Sequence, residues 1–297
     1  TFDIQYAPTA VGPHTATFTV SDGRATTDVI VSGECYDPTI YTFPWVEDFT
    51  ATTFPPEEWG RYEGLYPTDI LAPSTYRWYR ATNFAGEAGN PSARINIYGN
   101  STKHWLVTPP IAIPATGYQL DFDVALTTYS GGNPVDPNQQ QDDRFIVLIS
   151  DDPTMVGAQI LREWNNTGSE YVYNGIATQG EYQEIDLSGH VGSKFIGFYG
   201  ESTASGGDVY LYLDNVRVRE TPTAPIFSLD PTAWDFGRQA VNVTGSNTFT
   251  ISNVGIGTLN LTGISPMTDG FFSVTDAPVW PVNLNAGQSV SFAIQYA

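Results

Sequence analysis

Cys35 is the single cysteine in 297 residues, which rules out an internal disulfide framework and any zinc cluster built from several thiolates. Basic residues are also scarce. Twelve Lys plus Arg stand against 32 Asp plus Glu, and the formal net charge of −20 repels phosphate backbones and anionic headgroups, so nucleic acid and membrane-surface partners are disfavoured. No apolar run approaches the length of a membrane span and no signal peptide is recognisable. Secretion is therefore argued indirectly, with any leader or anchor expected outside this segment. Helical periodicity is nearly absent: residues 154–164 contain Met155, Val156, Ile160 and Leu161, but Gly157 interrupts them and an extended reading fits equally well.

The usual signs of catalysis are also missing. His14, His104 and His190 lie far apart, with no HExxH pair and no GxSxG elbow. The pairs Glu57/Glu58 and Asp142/Asp143 have the residue type used in glycoside hydrolysis, but a chain this acidic produces such pairs by composition alone. The expectation is a non-catalytic protein.

What is abundant points to strands and turns. Aromatics reach 13%, while 28 Gly and 21 Pro supply turns for many short strands, an all-β composition. An internal repeat organises the chain: Thr1-Phe2-Asp3-Ile4-Gln5-Tyr6-Ala7 recurs as Ser291-Phe292-Ala293-Ile294-Gln295-Tyr296-Ala297, identical at five of seven positions and 290 residues away. Alternation predicts strands at Phe2-Ile4-Tyr6, at 15–20 and at Val29-Val31, with a turn at Ser21-Asp22-Gly23. Further strands are predicted at 226–229, 234–237, 248–253, 259–261, 271–274 and in the closing repeat. Neither terminal set covers a sandwich core alone. Joined end to start they make about seven strands, as in an immunoglobulin-like sandwich. The chain thus reads as one repeat cut out of register: 1–36 as the C-terminal part of such a domain, 37–221 as a middle domain, and 222–297 as the N-terminal part of the next.

The terminal segments resemble the choice-of-anchor-D and Hydin-like immunoglobulin-type domains, through Asp235-Phe236-Gly237, the stretch from Phe249 to Ile264, and the stretch from Phe2 to Gly23. That resemblance implies a structural spacer. Pro- and Thr-containing connections at 38–42 and 220–225 flank the middle domain. Its strands are expected at 105–107, 118–126, 143–149, 183–187, 194–199 and 209–218.

Six sets of residues in the middle segment resemble the jelly-roll domains called cleaved-adhesin or choice-of-anchor-J, relatives of MAM domains. They are Phe43-Pro44-Trp45-Val46-Glu47-Asp48-Phe49, Pro55-Pro56-Glu57-Glu58-Trp59, Trp105-Leu106-Val107-Thr108-Pro109-Pro110-Ile111, Leu120-Asp121-Phe122-Asp123-Val124, Arg144-Phe145-Ile146-Val147-Leu148-Ile149-Ser150, and Tyr212-Leu213-Asp214-Asn215-Val216-Arg217-Val218. The resemblance implies a β-sandwich adhesion or carbohydrate-interacting module, often with structural calcium. Glu47 and Asp214 carry over from the opening and closing motifs, and Asp48 and Asn215 sit beside them. Adjacent strand residues point to opposite faces, so one of each pair is expected to contribute.

Other candidates are less sharply defined. Trp59, Tyr62, Tyr66, Tyr76, Trp78 and Tyr79 have flat faces that suit sugar rings, with Trp59, Tyr76 and Trp78 the candidate ligand-binding set; core packing is the competing reading. The loop from Ser130 to Asp143, with Asp136 and Asp142, is either a binding loop or a solvated one. Cys35 is either a small strand-end residue or an intermolecular attachment point. Asn100, Asn165, Asn242 and Asn260 lie in N-x-Ser/Thr sequons. The resulting expectation is an extracellular surface stalk or filament of alternating jelly-roll and immunoglobulin-like domains. Neighbouring repeats or identical subunits complete the split domain, and calcium is a possible structural ion. The alternative is an adhesin module that binds glycan or a protein ligand through the jelly roll.

Overall fold

Period-two alternation governs nearly every described element of the computed structural model, which describes residues 2–99, 102–129, 131–136, 143–166, 172–202, 207–265 and 270–297. Ser130, Asp142 and the Asn100 sequon position fall outside these residues. The chain divides into two compact units, Thr1–Arg219 and Glu220–Ala297.

The first unit opens with a hairpin of β1 (Gly12–Ser21) and β2 (Thr26–Cys35). Asp22 Oδ1 accepts from the backbone N–H groups of Arg24 and Ala25, at 2.8 and 2.7 Å, and holds the turn. The strand expected at residues 2–6 does not form. Those residues lie beside the hairpin without entering a ladder: Tyr6 bonds His14 Nδ1 at 2.8 Å, and the Phe2 and Phe18 rings meet edge to face at 5.9 Å. Phe2 is 68% exposed and Ile30 70% exposed, so apolar side chains here have little cover. A two-stranded ribbon is at best marginally stable alone.

The remainder of this unit is a sandwich of two antiparallel sheets. Its strands are β3 (Trp45–Glu47), β4 (Gly60–Glu63), β5 (Ala72–Pro73), β6 (Trp78–Phe84), β7 (Glu87–Tyr98), β8 (Thr102–Val107), β9 (Ile111–Ile113) and β10 (Tyr118–Thr128), followed by β11 (Asp143–Ser150), β12 (Gln159–Asn165), β13 (Glu181–Asp186), β14 (Gly192–Ser202) and β15 (Asp208–Glu220). One sheet runs β13-β10-β15-β7-β6 with β3 alongside β15; the other runs β12-β11-β14-β8-β4-β5 with β9 alongside β14. From β9 onward the chain crosses repeatedly between sheets, as in a jelly roll.

Inward residues of both sheets meet in one core. Leu120, Phe122, Val124, Ile95, Leu211 and Leu213 face Phe145, Val147, Ile149, Ile196, Phe198 and Leu106. Phe198 is central, stacked near-parallel to Phe145 at 6.4 Å and edge-on to Phe122 at 5.8 Å; each such pair adds about 0.5–1.5 kcal/mol beyond area burial.

The outer faces differ. On the second sheet Trp105, Ile146, Leu148 and Tyr199 lie under Tyr66, Leu71 and Met155, and Trp105 Nε1 donates to Gly64 O at 2.8 Å. That face is sealed. The outer face of the first sheet is polar and aromatic, and the candidate sites described below lie on it.

The second unit contains β16 (Phe227–Asp230), β17 (Gly245–Asn253), β18 (Leu259–Leu261), β19 (Phe272–Thr275), β20 (Val282–Leu284) and β21 (Ser289–Tyr296). Among the described residues these form a four-stranded sheet, β16-β17-β21-β19, and the pair β18-β20, around Phe249, Ile251, Leu261, Leu284 and Phe292. Asn253 fastens the turn after β17: its Oδ1 accepts from Ile226 N and Gly255 N, and its Nδ2 donates to Gly257 O and Leu284 O, all within 3.1 Å. A Cβ on Gly255 would stand 2.2 Å from Ala224 O, so only glycine fits. The strand expected at 234–237 is replaced by a turn, because the Asp235 carboxylate accepts from Gly237 N at 2.8 Å and Gly237 has φ +62°.

Candidate functional site

A one-residue irregularity in β15 builds the most chemically loaded part of the molecule. Val209, Leu211 and Leu213 point into the core, and so do Val216 and Val218; the alternation slips one place at Asp214-Asn215, where Asn215 takes φ +50°. Up to Leu213 the strand pairs with β7, and from Val216 to Val218 with β3. Asp214, at 1% exposure, sits at this junction.

Burial pushes the Asp214 carboxyl up to about 8; the Asn215 backbone N–H opposes that shift, and Asp123, Asp48 and Glu87 add to it. The N–H of Asn215 donates to Asp214 Oδ1 at 2.8 Å, and its side-chain Nδ2 donates to Asp123 Oδ2 at 2.9 Å and reaches Asp214 Oδ2 at 3.5 Å. Asp123 is raised too, first by desolvation, with Asn215 and Arg217 pulling it back. Negative charge here is therefore only partly compensated.

The other predicted metal residues lie on the segment that follows β3. Glu47 pairs in register with Val216 and accepts from Phe49 N through Oε1 at 2.7 Å; desolvation raises its carboxyl. Asp48 Oδ1 accepts from Thr50 N and Thr50 Oγ1, at 3.0 and 2.7 Å. Arg80 ties this turn down by donating to Phe49 O and Thr50 O, at 2.8 and 3.0 Å. Of the pair Glu47/Asp48, Asp48 is the one whose charge acts on Asp214. Asp123 and Glu87 join it, and neither is in the predicted set. Asp123 was visible as the second carboxylate of Leu120-Asp121-Phe122-Asp123-Val124, whose parity puts both aspartates on the face opposite the leucine. Among the described residues no three His, Cys, Asp or Glu side chains already stand as a metal-holding group. The donor chemistry suits a hard cation all the same: carboxylates in excess of cations, with an amide between them.

Two of the three predicted sugar-stacking residues have no free face. Trp59 and Trp78 are 6% and 1% exposed and belong to the core, Trp59 between Trp45 and Phe198, and Trp78 with its Nε1 donating to His104 O at 3.3 Å. Inward strand parity accounts for Trp78, and apolar partners far along the chain account for Trp59, which precedes β4. Tyr76 is 63% exposed, under the Arg77 guanidinium at 4.9 Å.

The remaining candidates are dispersed. Burial first, then Arg77 and Lys103, lower His104 to about 4, and its Nε2 lies 3.6 Å from Glu63. His190 lines a shallow surface pocket with Ser150, Asp151 and Lys194. Glu58 accepts from Tyr36 Oη, and Cys35 is a half-buried free thiol at the end of β2. No helix is long and apolar enough to cross a membrane among the described residues.

No protein-family model matches the chain, and no curated protein does. Solved structures do. The K1 cleaved adhesin domain of Lys-gingipain from Porphyromonas gingivalis W83 is 17% identical, with a TM-score of 0.39, over 61% of this chain and 99% of that one. The K3 cleaved adhesin domain of the same protein is 16% identical, with a TM-score of 0.35, over 56% and 93%. TmCBM61, solved with β-1,4-galactotriose, is 12% identical, with a TM-score of 0.34, over 55% and 89%.

Proposed function

We propose that this chain is a non-catalytic module of an extracellular surface stalk or filament, in which jelly-roll and immunoglobulin-like domains alternate. In this reading residues equivalent to 2–36 complete a sandwich begun by residues equivalent to 222–297 of a neighbouring repeat or subunit. One observation carries it. The sequence Phe-x-Ile-Gln-Tyr-Ala is held as β21 between β17 and β19 at one place, whereas at residues 2–7 it has no ladder and leans on a hairpin with bare apolar side chains. A segment that makes a paired strand in one setting and none in the other lacks its neighbours there.

The test is a chimera in which residues 222–297 run directly into residues 8–36. It is expected to unfold in one cooperative transition and to be more stable than 222–297 alone by about 2–4 kcal/mol, since at least two further apolar side chains gain cover. A chimera no more stable than the 222–297 fragment would sink the reading.

Calcium belongs to the same proposal as a structural ion. Asp214, Asp48 and Asp123 would hold it with the Asn215 amide, and Glu47 would set the 47–50 turn through Phe49 N. The ion would neutralise the buried carboxylates and clip the segment after β3 to β15. Support comes from the unbalanced charge around Asp214. An adhesin role for the jelly roll is a compatible second reading, favoured by the open aromatic face of its first sheet.

A further inference from the structure

Away from the carboxylate cluster, four tyrosines and an arginine share the outer face of the first sheet. Tyr79 on β6, Arg94 on β7 and Tyr212 on β15 are register neighbours, and Asn96 pairs with Tyr210 one step along. The Arg94 guanidinium carbon stands 4.6, 3.9 and 5.5 Å from the ring centres of Tyr79, Tyr210 and Tyr212, and its Nη1 donates to Tyr212 Oη at 3.2 Å. Tyr129, just past β10, packs on Tyr210 at 5.0 Å and is 54% exposed. Tyr212, buried with Ala81, Phe84 and Ala125, forms the floor. The strip crosses β10, β15, β7 and β6, roughly 14 Å at ordinary strand spacing.

A polar row runs beside it. Arg77 Nη1 donates to Asn96 Oδ1 at 2.8 Å, and Asn96 Nδ2 donates to Asp208 Oδ1 at 2.6 Å. Arg94 and Asn96 share a face two residues apart, so the two guanidiniums lie roughly 7 Å from one another along the sheet.

This face brings two arginines close together. Lys103, Arg144, Lys194, Arg217 and Arg219 are each bound to carboxylates. Among the described residues Arg77 and Arg94, like Arg24, Arg61, Arg80 and Arg238, form no ion pair, but these two stand together on one face between tyrosine rings. Both Nε atoms are buried without a hydrogen-bond partner. Cations left without anions, between flat rings and beside fixed amide and carboxylate groups, match a ligand with apolar ring faces, hydroxyls and an isolated negative charge.

We propose that this face binds a carboxylated pyranose, a uronic- or sialic-acid-bearing glycan, with ring C–H groups on Tyr129 and Tyr210, hydroxyls on Asn96 and Asp208, and the carboxylate shared between Arg94 and Arg77. A polyphosphate chain is a poorer fit, because the surrounding net charge repels a dense polyanion while tolerating one carboxylate per sugar. The inference stands independently of how the repeats join.

Calorimetric titration of the full chain with trigalacturonate, sialyllactose and fully methyl-esterified trigalacturonate tests it. At least one acid is expected to bind, and the ester to bind at least about tenfold more weakly than the free uronate or not at all, the scale of one charge-assisted hydrogen bond. Tyr129→Ala and Arg77→Gln, both at the rim, should each weaken the acid about tenfold while leaving the melting curve in place. Binding of neither acid would overturn the proposal. So would an ester that binds as well as the uronate, or rim variants that bind like the parent.

Discussion

Replacing Asp121 by Ala is expected to destabilise the first unit by about 3–5 kcal/mol, the range seen when one member of a buried ion pair is removed. Asp121 is fully buried on the outer face of β10; its Oδ2 accepts from Arg217 Nε at 3.0 Å and forms an ion pair with Arg219 Nε at 2.5 Å, and Gln119 donates to its other oxygen. Those arginines are largely covered, and Arg219 Nη2 continues the network to Tyr182 Oη at 3.2 Å. Without Asp121 two guanidiniums stay in place with only Asp123, which acts on Arg217, as counter-charge, and that desolvation cost, rather than loss of a strong bond, dominates. For a unit this size the melting temperature should fall by roughly 10 °C. Removing all three charges together, Asp121→Leu with Arg217→Met and Arg219→Met, should restore most of the loss in denaturant titrations. A single-variant loss below about 1 kcal/mol would show that solvent reaches the cluster.

Asp214→Asn should act in the opposite direction in chelator. Its folded carboxyl, near 8, lies above the ordinary 3.8, so the folded state keeps a proton that the unfolded chain has released. The associated stability is complete below about 4 and is lost as pH rises through about 8. At pH 8 without calcium the amide, which has no charge to bury, should therefore be more stable than the parent by about 2–5 kcal/mol, with the two converging toward pH 4. Saturating calcium reverses the order: at a hundredfold excess over Kd the parent gains about 2.7 kcal/mol and Asp214→Asn gains nothing. Melting curves at pH 5 and 8, each in calcium and in chelator, resolve both effects. An amide variant less stable than the parent in chelator would remove the charge-burial account, and equal calcium shifts in the two proteins would remove the ion.

How much of this was legible beforehand depended on parity. Leu120-Phe122-Val124 and Phe145-Val147-Ile149 announce which side of each strand is buried, and the structure agrees. The hairpin β6-β7 went unread although Arg94-Ile95-Asn96-Ile97 alternates cleanly, because its first strand opens among aromatics whose facing is set by tertiary packing. Trp78 and Tyr79 are neighbours in sequence; one is core and the other half-open surface. Trp59 carries no local mark of its burial, since its partners Trp45 and Phe198 lie far along the chain. At residues 2–6 alternation is present but the ladder is not: a pattern specifies which face is apolar, never which chain supplies the next strand. Asp48 against Glu47 was decidable only once β3 was seen beside β15.

The slip at Asn215 has a bearing on how this sequence tolerates change. Every residue of β15 beyond it is read one place out of phase with those before it. Regular alternation through Asn215, without the slip, would turn Arg217 and Arg219 into the core and Val216 and Val218 out to solvent. Point substitutions along the strand erode the fold by degrees; a one-residue deletion in its regular part would flip every side chain beyond it, whereas loss of Asn215 itself would leave the inward valines in place.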